Sequence, residues 1–392
     1  MNLNFEQPIE RRNTQSYKWD QCDKLFGDKE ILPLWVADMD FTAPSAVIEA
    51  LKARVEHGIY GYTIREESYY KAITSWVERR HHWSIKQEWI TTSPGVVTAL
   101  SILVNLLTEP HDKIIIQTPV YPPFHQVIRG NDRIIVENPL QLKDHHYTMD
   151  FDLLEQAMKD PDVKLMILCN PHNPVGRVWK KEELQKIGEW SLKYGVFVIS
   201  DEIHCDLIYR GHQHIPYASL SDEIANYSIT CFAPTKTFNI AGIQSSTILI
   251  PDAELRKKYN DRLSTLSLQF DNCFSVVATE AAYNHGEEWL NGLIDYLHHN
   301  LEYVMGYFNE YLPEISVIKP EGTYLVWLDC RKLGLTGEQL KDFMYKQAKI
   351  ALNEGSTFGS NGEGFLRLNI ACPKETLTEG LERLRRALEK LE

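Results

Sequence analysis

Residues 163–177 read VKLMILCNPHNPVGR, seven mostly apolar residues that run without alternation into a turn rich in Asn, Pro and Gly. An apolar run of this length with no polar face belongs to a strand covered on both sides, the kind found in parallel sheets flanked by helices. Moving outward along the chain, similar runs recur at 113–120 (KIIIQTPV), 133–139 (RIIVENP), 196–202 (VFVISDE), 227–234 (YSITCFAP) and 245–251 (SSTILIP), with an amphipathic helical stretch such as KEELQKIGEWSLKYG (181–195) between them. This alternation predicts an α/β fold, a mostly parallel sheet between helices. Ligands of such sheets sit at the carboxyl ends of the strands. The polar endings NP, DE and PTK fall at those ends.

After residue 285 the pattern changes to a long helical stretch, a strand pair around SVIKPEGTYLVWLDC and a closing helix in which Leu377, Leu381, Leu384, Leu388 and Leu391 recur at helical spacing as a core-facing stripe. We expect a large domain over residues 48–285 and a smaller α+β domain built from 1–47 and 286–392. No internal repeat or low-complexity segment is visible.

Composition narrows the function classes. The chain has 392 residues, 43% of them hydrophobic, with a formal net charge of -13 and no long Lys/Arg run, which argues against a general nucleic-acid or anionic-membrane binder. No secretory leader or membrane-length apolar run is apparent, so a cytoplasmic location is expected. The 7 cysteines are scattered with no C-x-x-C pair and read as reduced thiols. The histidine pairs 81/82, 145/146 and 298/299 are adjacent in sequence, so they cannot share a helix face as H-E-x-x-H ligands do, and they read as surface residues.

Three strand endings carry the chemistry. The run VKLMILC leads to Asn173, VFVIS to Asp201 and YSITCF to Lys236, which delivers all three to one edge of one sheet. A carboxylate at a buried strand end is costly unless it meets a cation, and a protonated pyridine nitrogen is one. A lysine beside it can form a Schiff base with an aldehyde.

The order NPHNPVG, DEIH, PTK and a late arginine in GFLRLNIACP resembles the fold-type I pyridoxal-phosphate enzymes of the class I/II aminotransferase group, over nearly the whole chain. PLWVADMDF, HGIYGYT, DEIH and KTFNIAG are closer to its branch of cystathionine β-lyases, or carbon–sulfur lyases. The resemblance implies pyridoxal 5'-phosphate as cofactor, held covalently by Lys236, with Asp201 on the pyridine nitrogen, Asn173 on the phenolic oxygen, His204 nearby and Tyr121 stacked on the ring. It implies that the amides of Val96 and Val97 bind the phosphate, with a hydroxyl from Thr235, and that Tyr62 reaches the phosphate of a partner subunit in a homodimer. Arg367 would take the substrate α-carboxylate, Ala37 would offer it a backbone amide, and the peptides before Pro119 and Pro174 would be cis. No metal is implied. Two departures weaken the phosphate site: Gln244 stands where the aminotransferases usually have arginine eight residues after the lysine, and Ala233 where serine is common. His204 also replaces a tyrosine found in many relatives.

Three functions fit these residues. A β-lyase would remove the Cα proton of L-cystathionine or a related cysteine S-conjugate and expel the Cβ thiolate, giving homocysteine or another thiol, pyruvate and ammonia. An aminotransferase would use nearly the same residues to pass on an amino group. A non-catalytic binding protein would not need Lys236, Asp201 and Arg367 together. The resemblance to the sulfur-lyase branch favours the first.

Overall fold

The computed structural model describes residues 4–391. A seven-stranded sheet forms its centre, with strands β1 (Ile90–Ser93), β2 (Lys113–Ile116), β3 (Ile134–Glu137), β4 (Val163–Cys169), β5 (Phe197–Asp201), β6 (Ser228–Phe232) and β7 (Ser246–Leu249) in the spatial order β1-β7-β6-β5-β4-β2-β3. Every pairing from β6 to β3 is parallel, and β7 alone runs against its neighbours β6 and β1. The α/β reading and the mostly parallel sheet hold. What it lacks is β1, a Thr-rich strand of sequence ITTS, and the reversed direction of β7.

The period of two along each strand divides the core. Leu165, Ile167 and Cys169 of β4, with Ile114 and Ile116 of β2, face one layer that contains Ala99, Leu100, Leu103 and Phe124. Met166 and Leu168, with Ile115 and Val198, face the other, which holds Trp179, Leu184, Ile187 and Trp327. Successive residues thus bury against opposite layers, which is why the runs show no polar alternation.

A second, four-stranded antiparallel sheet orders Ser316–Ile318, Leu325–Asp329, Phe365–Asn369 and Asn353–Glu354 side by side. The two ends of the chain meet beside it, where Leu32–Pro33 pairs in parallel with Ile350–Ala351. The closing helix Lys374–Leu388 buries Leu377, Leu381 and Leu384, but the stripe ends there: Leu388 is only partly buried and Leu391, beyond the helix, is exposed. Among the described residues no helix is long and apolar enough to cross a membrane, and all seven cysteines are free and buried.

The turn after β4 is fastened to the second sheet. Gly176 has φ +73°, and a Cβ there would lie 2.4 Å from Pro320 Cβ, so both backbone angle and space require glycine. The next residue, Arg177, is buried; it donates to Glu321 at 3.0 Å, to Glu183 at 2.9 Å and to the Tyr147 carbonyl. Glu183 also accepts from the Lys180 amide at 2.8 Å, capping the helix Lys181–Tyr194.

Removing this cation leaves two largely buried carboxylates facing each other. Arg177→Met is expected to lower the urea midpoint by an amount equivalent to about 2–3 kcal/mol, somewhat under the cost of breaking a wholly buried pair. Lys257→Met, whose ion pair is with the exposed Asp261 one turn on, should leave the midpoint unchanged.

Candidate active site

The register of the parallel strands places Cys169 opposite Asp201 and Asp201 opposite Cys231, so β4, β5 and β6 end at one level. Asn173 lies four residues beyond the first of these, Asp201 is itself the last residue of β5, and Lys236 sits in the one-turn helix Pro234–Thr237 just past β6. All three line one cavity of about 150 Å³ together with Tyr121, His204 and Ala37. The peptides before Pro119, Pro171 and Pro174 are cis.

Asp201 is buried, accepts the Ile203 amide at 3.2 Å, and has its carboxyl pushed up to about 7 by burial. Lys236 is partly buried and donates from Nζ to the Ala37 carbonyl at 2.7 Å. Desolvation, with the positive charge of Arg367 adding to it, brings its amine down to about 8.

Arg367, on the strand Phe365–Asn369, is 4% exposed and donates to Asn173 Oδ1 at 3.0 Å, to the Trp35 carbonyl at 3.0 Å and to Asn353 Oδ1 at 2.6 Å. None of these acceptors is charged, and Nε has no partner. Burial pulls the guanidinium down to about 10. His204 is buried, edge-on to Tyr324, and held to about 3 by burial and the charges of Lys236 and Arg367, so it is neutral.

At the other end of the cavity the helix Val96–Leu107 begins, with Gly95 as its N-cap. Gly95, Val96, Val97 and Thr98 line the wall. The first amides of a helix have no intrahelical acceptor, and with the helix dipole they favour an anion. No arginine reinforces them from position 244, where Gln244 is exposed and left-handed. Ala233 is the buried N-cap of the lysine's turn.

Three expected residues are not part of this cavity's wall, and one of them, Arg367, reaches it only through its bond to Asn173. Thr235 is buried one position before the lysine and does not line it. Tyr62 is 91% exposed, stacked at an angle on Phe270, and does not reach the site of its own chain. Ala37 is at the cavity, but its carbonyl is the group engaged there, accepting from Lys236 and from Tyr324 Oη at 2.9 Å. Sequence reasoning missed Asn353, Tyr324, Ile203 and Cys169. The last two adjoin the strand ends that did signal the site, whereas Asn353 lies in the second sheet and Tyr324 just before its strand Leu325–Asp329, with no motif around them.

One reading is corrected. His81 is not a surface histidine: its side chain is 7% exposed and Nε2 is 2.9 Å from Asp206 Oδ1.

A buried carboxylate, an amine of lowered basicity and a helix N-terminus therefore surround one cavity, and a buried guanidinium without a counter-ion lies behind its wall residue Asn173. The chain belongs to the aminotransferase class I and II family, whose pattern it matches over residues 29–384. Within that family it is 49% identical to the cystathionine β-lyase PatB of Bacillus subtilis, over 98% of this chain and 100% of that one. The structure superposes on cystalysin of Treponema denticola, which contains pyridoxal 5'-phosphate, with a TM-score of 0.98 at 40% identity, covering 100% of both chains. The pyridoxal-phosphate-bound C–S lyase of Staphylococcus hominis gives a TM-score of 0.93 at 36% identity, covering 99% of this chain and 98% of that one.

The lowered basicity of Lys236 can be measured directly. In cofactor-free protein, capture of a simple aldehyde at this residue, trapped with borohydride and located by mass spectrometry, should rise with pH through a midpoint near 8, because only the neutral amine attacks. A midpoint near that of free lysine, about 10.4, would mean that the amine is solvated.

Proposed function

We propose that this chain is a pyridoxal-phosphate-dependent carbon–sulfur β-lyase that cleaves L-cystathionine or related cysteine S-conjugates to a thiol, pyruvate and ammonia. The observation that carries this reading is the pair of buried ionisable groups, Asp201 and Arg367, that have no counter-ion of ordinary strength. Burial pushes the Asp201 carboxyl up to about 7, and Arg367 is buried among neutral acceptors. A pyridinium N–H and an amino-acid carboxylate are the two partners that would satisfy them.

The residues present fit the cofactor. Lys236 would hold its aldehyde, Asp201 its ring nitrogen, the amides of Val96 and Val97 its phosphate, and the Asn173 amide its phenolic oxygen, since Asn173 Oδ1 already accepts from Arg367 and leaves its NH₂ to donate. Tyr121 stands at the wall for stacking and His204, neutral, can hydrogen-bond without adding charge. When bound, the cofactor supplies an electron sink for the pair released from the Cα–H bond.

The chain's own groups do the rest. Arg367 would grip the α-carboxylate with parallel hydrogen bonds from Nε, which has no partner, and Nη2, which would give up one of its two present acceptors, Trp35 O or Asn353 Oδ1, while Asn173 on Nη1 keeps its plane set. This orients the Cα–H bond toward Lys236, whose amine, neutral over much of the range above pH 8, takes the proton. The Cβ–S bond then breaks with its electrons on sulfur, the thiolate departs, and the enamine left behind hydrolyses to pyruvate and ammonia. Lys236 Nζ is anchored on the Ala37 carbonyl, which limits where the base can lie.

We further propose a homodimer with shared sites, in the cytoplasm, and a division into domains at 48–285 and 1–47 with 286–392. Ile59, Tyr60, Tyr62, Ile64 and Phe270 are all exposed, and an apolar face of this kind is favourable only when covered. A second copy laid on it would bring Tyr62 to the phosphate end of that copy's cavity.

L-cystathionine alone should yield homocysteine, pyruvate and ammonia in equal amounts over many turnovers, and Lys236→Ala should abolish them. An aminotransferase would stop after one equivalent and resume only on addition of an oxo acid, which would overturn the assignment. Asp201→Asn should cut kcat by ~10²-fold or more, about 2.7 kcal/mol, because the amide cannot hold the pyridinium proton. Arg367→Ala should act chiefly on KM through loss of the carboxylate anchor.

A further inference from the structure

A second cavity, of about 540 Å³, shares no lining residue with the one around Lys236. Its wall combines the end of the helix Glu67–His81, the loop that follows β5, and the start of the helix Glu287–Tyr311. Here a ring nitrogen of His81, the thiol of Cys205 and a carboxylate oxygen of Asp206 lie within 4.8 Å of one another. Cys205 and Asp206 are buried, and the His81 side chain is nearly so.

A fourth group points to what these three are for. His214 lines the same cavity, its ring 5.3 Å from that of His81. Its Nε2 lies 2.8 Å from Glu202 Oε2, and its Nδ1, in a side chain only 2% exposed, has no hydrogen-bond partner. A carboxylate only accepts, so the ring proton is on Nε2 and Nδ1 carries a bare lone pair. A histidine fixed by a carboxylate on one nitrogen with the other left open is the arrangement by which proteins prepare an imidazole for a metal ion.

We propose that His81, Cys205, Asp206 and His214 form a binding site for a divalent transition ion of the zinc type. Two imidazoles, a thiolate and a carboxylate suit Zn²⁺ or Co²⁺, whereas Mg²⁺ and Ca²⁺ select oxygen ligands. Metal–ligand bonds of about 2.0–2.3 Å in a tetrahedron put neighbouring ligand atoms a little over 3 Å apart. The His81–Asp206 contact of 2.9 Å needs to open only slightly, and the Cys205 sulfur, already within 4.8 Å of both, needs to close to that spacing.

The outer shell is also built. Glu202 accepts from Ser200 Oγ at 2.8 Å and the Tyr217 amide at 2.9 Å, and Asp206 from Thr237 Oγ1 at 2.8 Å and Trp76 Nε1 at 3.1 Å. The arginines of the cavity wall are turned to other acceptors: Arg79 to the Tyr283 carbonyl and Glu287, Arg80 to Asn291, Arg210 to Asp295. Burial raises the Cys205 thiol well above its usual value, so binding must release its proton and should tighten as pH rises.

The test uses the holoenzyme, stripped with a chelator and dialysed. Zn²⁺ titrated by calorimetry should bind at one ion per chain. Co²⁺ should give tetrahedral ligand-field bands and a thiolate-to-cobalt charge-transfer band in a difference spectrum against the zinc-loaded enzyme. Cys205→Ser should remove the charge-transfer band, and it and His214→Gln should each weaken Zn²⁺ binding roughly ten-fold or more with unchanged circular dichroism. The proposal is overturned if the wild type takes up no stoichiometric Zn²⁺, if the cobalt spectrum lacks the thiolate band, or if Cys205→Ser binds Zn²⁺ as the wild type does, which would mark adventitious binding to the outer histidines His82 and His212.

Discussion

The common level at which β4, β5 and β6 end is the constraint on which the site depends. Cys169, Asp201 and Cys231 pair across three neighbouring strands, so the three turns leave the sheet side by side and must be accommodated in one place. The backbone hydrogen bonds of the ladder hold that register, and a slip by one residue would exchange the two core layers that Leu165, Ile167 and Cys169 on one side and Met166 and Leu168 on the other now fill. The positions of Asn173, Asp201 and Lys236 are therefore enforced by the packing of the whole sheet, well beyond the few contacts they make themselves.

Such a rigid frame lets the protein keep groups that are costly where they stand. Asp201 at about 7 and Lys236 at about 8 are displaced in opposite directions by the same cause, burial, which disfavours the charged form of each. Arg367 is anchored by two asparagines and a carbonyl, acceptors that fix its plane without neutralising it. A carboxylate partner from the protein would have paired the charge more favourably and closed the position to a substrate carboxylate.

The strand runs, their order and the edge where the turns meet were legible because each rests on local signals: apolar positions in succession, then Pro, Asn or Asp. Other features depend on residues distant in sequence. The direction of β7 leaves no trace in SSTIL, because a strand buried on both faces has the same composition either way round. The strand β1 escaped notice because its Thr and Ser residues, all buried, bond sideways, Thr91 to Asn260 and Thr92 to Asp271. Adjacency with His82 rules out a shared helix face but does not place His81 at the surface: adjacent residues on a helix point about 100° apart, and only His81 of the two faces Asp206. Asn353 and Tyr324 gave no signal, since each acts through a single hydrogen bond to a residue distant in sequence or on a neighbouring strand, Asn353 to Arg367 and Tyr324 to the Ala37 carbonyl.

The segment 35–39 joins the two halves of the site through backbone alone. The carbonyl of Trp35 accepts from Arg367, those of Val36 and Asp38 from Asn369, that of Ala37 from Lys236 and Tyr324, and that of Met39 from Asn239. Five successive carbonyls are thus held by side chains from the lysine's turn and from the second sheet. Just beyond them, Asp40 is buried against Lys18, at 2.8 Å, and Arg11, at 2.6 Å, so the strap is fixed at one end by charge and along its length by hydrogen bonds. The Asp38 side chain adds to this by pairing with Arg11 at 2.8 Å, and Ala37 lines both the cavity beside Lys236 and the adjoining one of about 590 Å³. Ala37 and Lys236 are the two residues common to both linings, so the amine whose position the Ala37 carbonyl fixes borders the outer cavity as well as the inner one.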